Sequence, residues 1–482
     1  MPHPTASYSR FHNVSVIDVL LGLGLLMLSL TPFLSDLQPH DAQRIVWAIL
    51  MAGLGIWGVV IRFRPTVAEG SVLLAFLACG VISSIHASSP RDGWIETLSW
   101  MAILTGSMIL SRSPLTPERW TRYLRLFALI SSIYILCFIV GYLAAAVEHL
   151  PLVRDSLIVG FSNVRFHSQL QTWTLPLLMA GAVLATHRRA YALWMLVATL
   201  SWGLLFVSGT RGTLLGLAVS AAVVAWLFRE HARDYLITLL LSAAGGALLF
   251  MLVIFLLPAT LGLSNPDLIA NTVERDVTSS SGRTQLWLHS LGMAMNHPWL
   301  GAGPMHFACD NPLNNGAHPH NVWLQFLGEW GIPFTLAATV GFFYLVIRWV
   351  TKIQGTSTEH RSLALPLTAS LSAALAHSLF DGIAVMPLSQ FYGVLLSAWA
   401  LSWYRGAEQT QPAPTPLEAI PLALPGLILL GYVAFSLTGL SARQEAELLQ
   451  GPGHLQPRFW SQGMICLHPL LTPEEQGKSH TE

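Results

Sequence analysis

Apolar runs long enough to cross a bilayer follow one another along the chain, each set off from the next by a short polar segment. A helix needs about 20 apolar residues to span the hydrocarbon core. Runs of that order fall near 16–34, 45–61, 67–87, 95–111, 123–147, 170–186, 190–208, 212–228, 235–257, 322–347, 362–384, 387–404 and 417–439. The pattern predicts an all-α, polytopic membrane protein with 12–13 transmembrane helices. The first run has no small-residue cleavage signature after it and is expected to be a retained span, not a signal peptide. No solenoid repeat is visible. Two segments break the rhythm: 258–321 is the longest loop, and 441–482 is a polar tail with several Pro and Gly. Residues 1–440 are therefore expected to form the transmembrane domain, with 406–416 (GAEQTQPAPTP) as a flexible connector inside it.

Composition agrees with that picture. Hydrophobic residues make up 53% of the 482 and charged residues 10%, with a mean hydropathy of +0.55. Soluble domains carry about 25% charged residues, so lipid must be the solvent for most of this surface. Seventeen Trp suit membrane interfaces. The formal net charge is zero, so no basic face points to nucleic acid. The chain has no GxxxxGK[ST] and no strand–GxGxxG–helix unit, which argues against chemistry driven directly by ATP.

Lys and Arg orient the spans, because they concentrate in cytoplasmic loops. With the N-terminus inside, 15 of the 25 basic residues fall on the cytoplasmic side, and the long loop and the tail fall outside. Arg44, Arg91, Arg154 and Arg275 read as ordinary outside charges, and Arg443, Arg458 and Lys478 as tail charges. The remaining outside charges are Arg165, Arg211 and Arg283. The four Cys form neither a disulfide framework nor a metal cluster. Cys79 and Cys137 read as core residues. Cys309 and Cys466 both fall outside, where a disulfide would persist and tie the tail to the long loop.

The candidate chemistry lies on that outside face. The long loop ends in Ala317-His318-Pro319-His320-Asn321, directly before a helix. An imidazole titrates near neutral pH and can take a proton from a sugar hydroxyl. Asn321, Gln325 and Glu329 follow at i, i+4 and i+8 and share one helix face. Arg211 sits in SGTRG, where flanking glycines permit a tight turn and close approach of a ligand. Arg283 opens a short helix in the long loop, and Arg165 precedes the sixth span. A guanidinium offers a planar fork of donors suited to phosphate oxygens. Histidines at an interface and arginines snorkelling to headgroups are the plainer readings. Three arginines and a histidine on the face that positive charge avoids favour an anion site instead. Gly301 and Gly303, in HPWLGAGP, follow no strand and are expected to shape the loop. No Asp-x-Asp or His/Cys set with metal-ligand spacing stands out, so no metal or other cofactor is expected.

Taken together, SGTRG at 208–212, GRTQLW at 282–287 with HPWLGAGP at 297–304, and HPHN at 318–321 with LQFLGEWG at 324–331 resemble the O-antigen ligase and polymerase family of bacterial membrane glycosyltransferases. The resemblance covers roughly residues 160–350. The ligase pattern is His, then Asn, Ser or Gln, nine residues, Gly, two residues, then Gly, Thr or Tyr. His320, Asn321 and Gly331 match it, and Phe334 departs at the last position. The resemblance implies an inner-membrane enzyme that acts in the periplasm without metal. Its donor would be a glycan on undecaprenyl diphosphate. His320 would be the base, and Arg211 and Arg283 would hold the diphosphate; Arg165 is added from its position alone. The implied acceptor is lipid A–core first, a pilin-like protein second, or another lipid-linked repeat unit. A transporter of lipid-linked sugars ranks lower, since it would want midmembrane charges and paired repeats.

Overall fold

The computed structural model describes residues 15–265, 282–310, 316–406, 416–440, 457–461 and 463. Helices dominate, and the described residues contain no strand. Each of the thirteen predicted spans contains a helix. Nine helices among the described residues are long and apolar enough to cross a membrane, from Val16–Phe33 to Ala419–Gly439. The other four spans hold Pro90–Leu110, Val164–Val183, Thr358–His377 and Pro387–Arg405. These are more polar because their neighbours shield them from lipid. In Val164–Val183, His167, Gln169, Gln171, Thr172 and Thr174 are all buried. In Pro387–Arg405, Tyr392 and Trp399 are fully buried, and Trp399 meets Trp120 edge-on at 5.6 Å. At the opposite extreme, Ile332–Gln354 buries nothing over its apolar window.

Small residues let the helices approach closely, as is usual where packing rather than water drives association. A side chain on Gly55 would meet Ala423 Cα at 2.8 Å, and one on Gly426 would meet Met51 O at 2.7 Å. That pairs Pro39–Val60 with Pro416–Ser436. Likewise a side chain on Gly216 would meet Ala373 O at 2.6 Å.

Successive connections fall at opposite ends of the bundle. One end is rich in arginine. There Thr66 and Glu69 form a capping box that starts Val67–His86. Glu69 also pairs with Arg112 at 2.7 Å and with Arg405, and Asp18 pairs with Arg119 at 2.6 Å. The other end gathers the long connections. Leu152 N donates to Ser264 O at 2.8 Å, Ser83 Oγ to Leu300 O at 2.6 Å, and Val322 N to Ser378 O at 3.0 Å. From the charge bias, this end is expected to face away from the cytoplasm. A reporter active only outside the cytoplasm, fused after Ser264, is expected to be active. Activity of a cytoplasmic reporter at that position would invert the topology.

The structure corrects four sequence expectations. The span drawn at 322–347 is two helices, Val322–Trp330 and Ile332–Gln354. They break at Gly331, whose φ is +85° and where a side chain would meet Trp299 O at 2.7 Å. Twenty-three residues from Ile332 already suffice to cross a bilayer, so the shorter helix stays at the loop end. The span drawn at 362–384 stops at His377, leaving 378–386 as a connection. Arg44 is not an ordinary outside charge. It is buried, donating to Phe459 O at 2.9 Å, Gln390 Oε1 at 2.6 Å and Val385 O at 2.8 Å. Arg458, read as an ordinary tail charge, is buried as well, along with the rest of residues 457–461. Cys309 is disulfide-bonded, while Cys79 and Cys137 are free thiols. Cys466, the partner expected from the sequence, lies outside the described residues.

Candidate active site

Two loops meet at the long-loop end, the HPHN turn and the 378–386 connection. Asn321 joins them. Its Oδ1 caps Val322–Trp330 by accepting Trp323 N at 3.0 Å and Leu324 N at 3.1 Å, and its Nδ2 donates to Leu379 O at 3.2 Å. His320 sits in the left-handed region at φ +53°, an uncommon backbone for a residue with a side chain. Strain of this kind persists where its surroundings fix it. Here Trp287 Nε1 donates to Pro319 O at 3.0 Å, and His320 N donates to His318 Nδ1 at 3.2 Å.

The result is a histidine–carboxylate arrangement. His320 Nδ1 lies 3.4 Å from Asp381 Oδ1 and stays partly exposed. His377 Nε2 lies 3.4 Å from Asp381 Oδ2 and is fully buried. Gly382 N donates to Asp381 Oδ1 at 2.7 Å. On its far side, His377 Nδ1 meets Thr172 Oγ1 at 2.7 Å, and Thr172 meets Thr213 at 3.0 Å. Gly212 is needed for this closeness, since a side chain there would come within 2.6 Å of the His377 ring. Burial alone would raise the Asp381 carboxyl. Its contacts with His320 and His377 outweigh burial and hold it well below the usual carboxylate range, so it is ionised at neutral pH. Burial, together with the charges of His320 and Arg458, pushes the His318 imidazole well below its usual value. His318 is therefore neutral, as its acceptor role requires.

The three predicted arginines converge here. Burial lowers the Arg283 guanidinium, the charge of Asp381 opposes that, and Arg165 and Arg211 add to the lowering. Arg283 is thus within electrostatic reach of Asp381, Arg165 and Arg211. Each arginine occupies the first turn of its helix: Arg165 in Val164–Val183, Arg211 in Arg211–Phe228 and Arg283 in Arg283–Asn296. Helix N-termini carry partial positive charge and unpaired N–H groups, which reinforces the anion-binding character of the cluster.

Other expected residues lie elsewhere. Gln325 and Glu329 do share a face, but that face is buried away from His320. Gln325 Nε2 donates to Glu96 Oε1 at 3.4 Å, and Glu329 Oε2 pairs with Arg458 Nη2 at 2.6 Å. Gly301 and Gly303 lie in the loop with left-handed backbones. Their φ values are +70° and +115°, and a side chain on Gly301 would meet Glu329 O at 2.3 Å. Asp381 and His377 were missed by sequence reasoning. The signal was a carboxylate inside the apolar run HSLFDGIAVMP, where an ionisable residue within a supposed span is itself a pointer to function.

One end of this multi-pass helical membrane protein thus holds a His–Asp pair beside an arginine cluster. Residues 196–339 match the family model described as O-Antigen ligase. The chain is 30% identical over 209 residues to an O-antigen ligase of Pseudomonas aeruginosa strain PAO1. The match covers 42% of this chain and 43% of that protein, so it spans less than half of the relative's length. No solved structure matches the chain. Arg211, Arg283, His318 and His320 lie within the family segment, whereas Arg165, His377, Asp381 and Arg458 lie outside it.

Proposed function

We propose that the protein transfers a glycan from undecaprenyl diphosphate to an acceptor hydroxyl on the periplasmic face of the bacterial inner membrane. The observation that carries this reading is the meeting of the His320–Asp381 pair with the arginine cluster at one end of the bundle. In the reaction, His320 takes the proton as the acceptor O–H bond breaks, and the oxygen forms its bond to the anomeric carbon. The bond from that carbon to the diphosphate breaks, and the diphosphate leaves with the electron pair. A single displacement inverts the carbon. Asp381 stabilises the imidazolium that forms, the role a carboxylate plays behind any histidine base. Arg283, Arg211 and Arg165 neutralise the departing diphosphate. The preferred acceptor is lipid A–core, supported by the His320-Asn321…Gly331 pattern and by the relative's description as an O-antigen ligase. A pilin-like protein and a lipid-linked repeat unit are the other acceptors.

The purified protein, given the lipid-diphosphate glycan and lipid A–core, is expected to form product without nucleotide and in the presence of a chelator, because arginines supply the positive charge. Failure to transfer to any of the three acceptors would remove the reading. Transfer to a pilin alone would keep the chemistry and change the acceptor.

A further inference from the structure

Two buried guanidiniums join the tail segment at 457–461 to both loops of the candidate site. Arg458 has no exposed side-chain surface. Its Nη1 donates to Ala317 O at 3.0 Å, one residue before the HPHN turn. Its Nη2 pairs with Glu329 Oε2 at 2.6 Å and Glu96 Oε1 at 3.3 Å. Glu329 Oε1 accepts Phe307 N at 3.1 Å, which extends the lattice into the long loop. The second limb runs through Arg44. It donates to Phe459 O at 2.9 Å and Arg458 O at 3.3 Å, and from the same guanidinium to Val385 O at 2.8 Å in the connection that carries Asp381. Asp41 fixes the end of the segment, accepting Ser461 N at 2.6 Å and Ser461 Oγ at 2.7 Å.

One buried five-residue stretch is therefore a single guanidinium away from the His320 loop on one side and from the Asp381 loop on the other. A peptide carbonyl accepting a charged donor is held in place more firmly than one bonded to a neutral group. We propose that segment 457–461 acts as a clasp that sets the distance between His320 and Asp381, with Arg458 and Arg44 as positioning residues. The proposal rests on the His320–Asp381 reading of the site. It adds a functional element more than 100 residues beyond the end of the family segment.

The test is steady-state transfer by Arg458→Lys and Arg44→Lys, normalised to folded protein recovered as a monodisperse species in detergent. Lysine keeps the charge but lacks the fork that spans several acceptors. Each variant is expected to lose about 10–100-fold in kcat with donor KM unchanged, since small misplacements of reacting groups act on the chemical step. Wild-type kcat in the folded fraction of either variant would overturn the clasp, as would a change confined to KM. Should Arg458→Lys yield no folded protein, Arg44→Lys decides by the same split; loss of folded protein in both would overturn the proposal in favour of a purely structural segment. His320→Ala separates the two levels. If it is active, the underlying site reading has failed; if it is inactive while both lysine variants keep wild-type kcat, only the clasp has failed.

Discussion

Replacing His320 with Ala is expected to lower kcat by about 10²–10⁴-fold, the range supplied by a positioned general base, while the protein still inserts and folds. His320 is only partly buried, and Asn321 keeps the helix cap. Asp381→Asn is the companion measurement. The ionised carboxylate stabilises the imidazolium that forms as a histidine base takes a proton, so Asp381→Asn should also lower kcat, with donor KM unchanged. Wild-type kcat in either variant would break the base assignment.

The second large effect is expected at Arg283. A guanidinium aimed at charge that develops on the leaving group contributes to the transition state more than to binding. Arg283→Ala should cost about 10²–10³-fold in kcat, roughly 3–4 kcal/mol, the scale seen when one preorganised donor is removed. Arg283→Lys should recover little, because the ammonium lacks the bidentate fork. Arg211→Ala is expected to behave alike, and a double variant should fall short of the product of the two, since both guanidiniums serve one anion. Full rescue by lysine would reduce the cluster to a general electrostatic patch.

Much of this architecture was legible in the sequence because span length and apolarity are read in one dimension. The helices, the grouping of Arg165, Arg211 and Arg283, and the placing of His320 at a helix entry all follow from local pattern. What escaped depends on partners distant in the chain. Asp381 lay inside a run apolar enough to pass as membrane, and its role appears only when His320, 61 positions earlier, is brought to 3.4 Å. Arg458 sat in a stretch whose composition suggests solvent, and only the fold supplies Glu329 and Glu96 to receive it. The start of the tenth span was misplaced because Gly331 looks like an ordinary helix glycine until its neighbours Trp299 and Gly301 are in view.

The polar inner helices also bear on how the chain is made. Val164–Val183 carries His167, Gln169 and Gln171, with Pro176 within the helix. Leaving the translocon alone, it would expose those groups to acyl chains with nothing to satisfy them. Val67–His86 or Arg233–Leu261 faces no such difficulty. The more polar segments are best retained beside the insertion machinery until Arg188–Ser208 and Thr358–His377 arrive to cover them. The last of these is synthesised nearly two hundred residues later. Biogenesis of this protein is thus a matter of timing, in which Val164–Val183 waits for later segments to cover it.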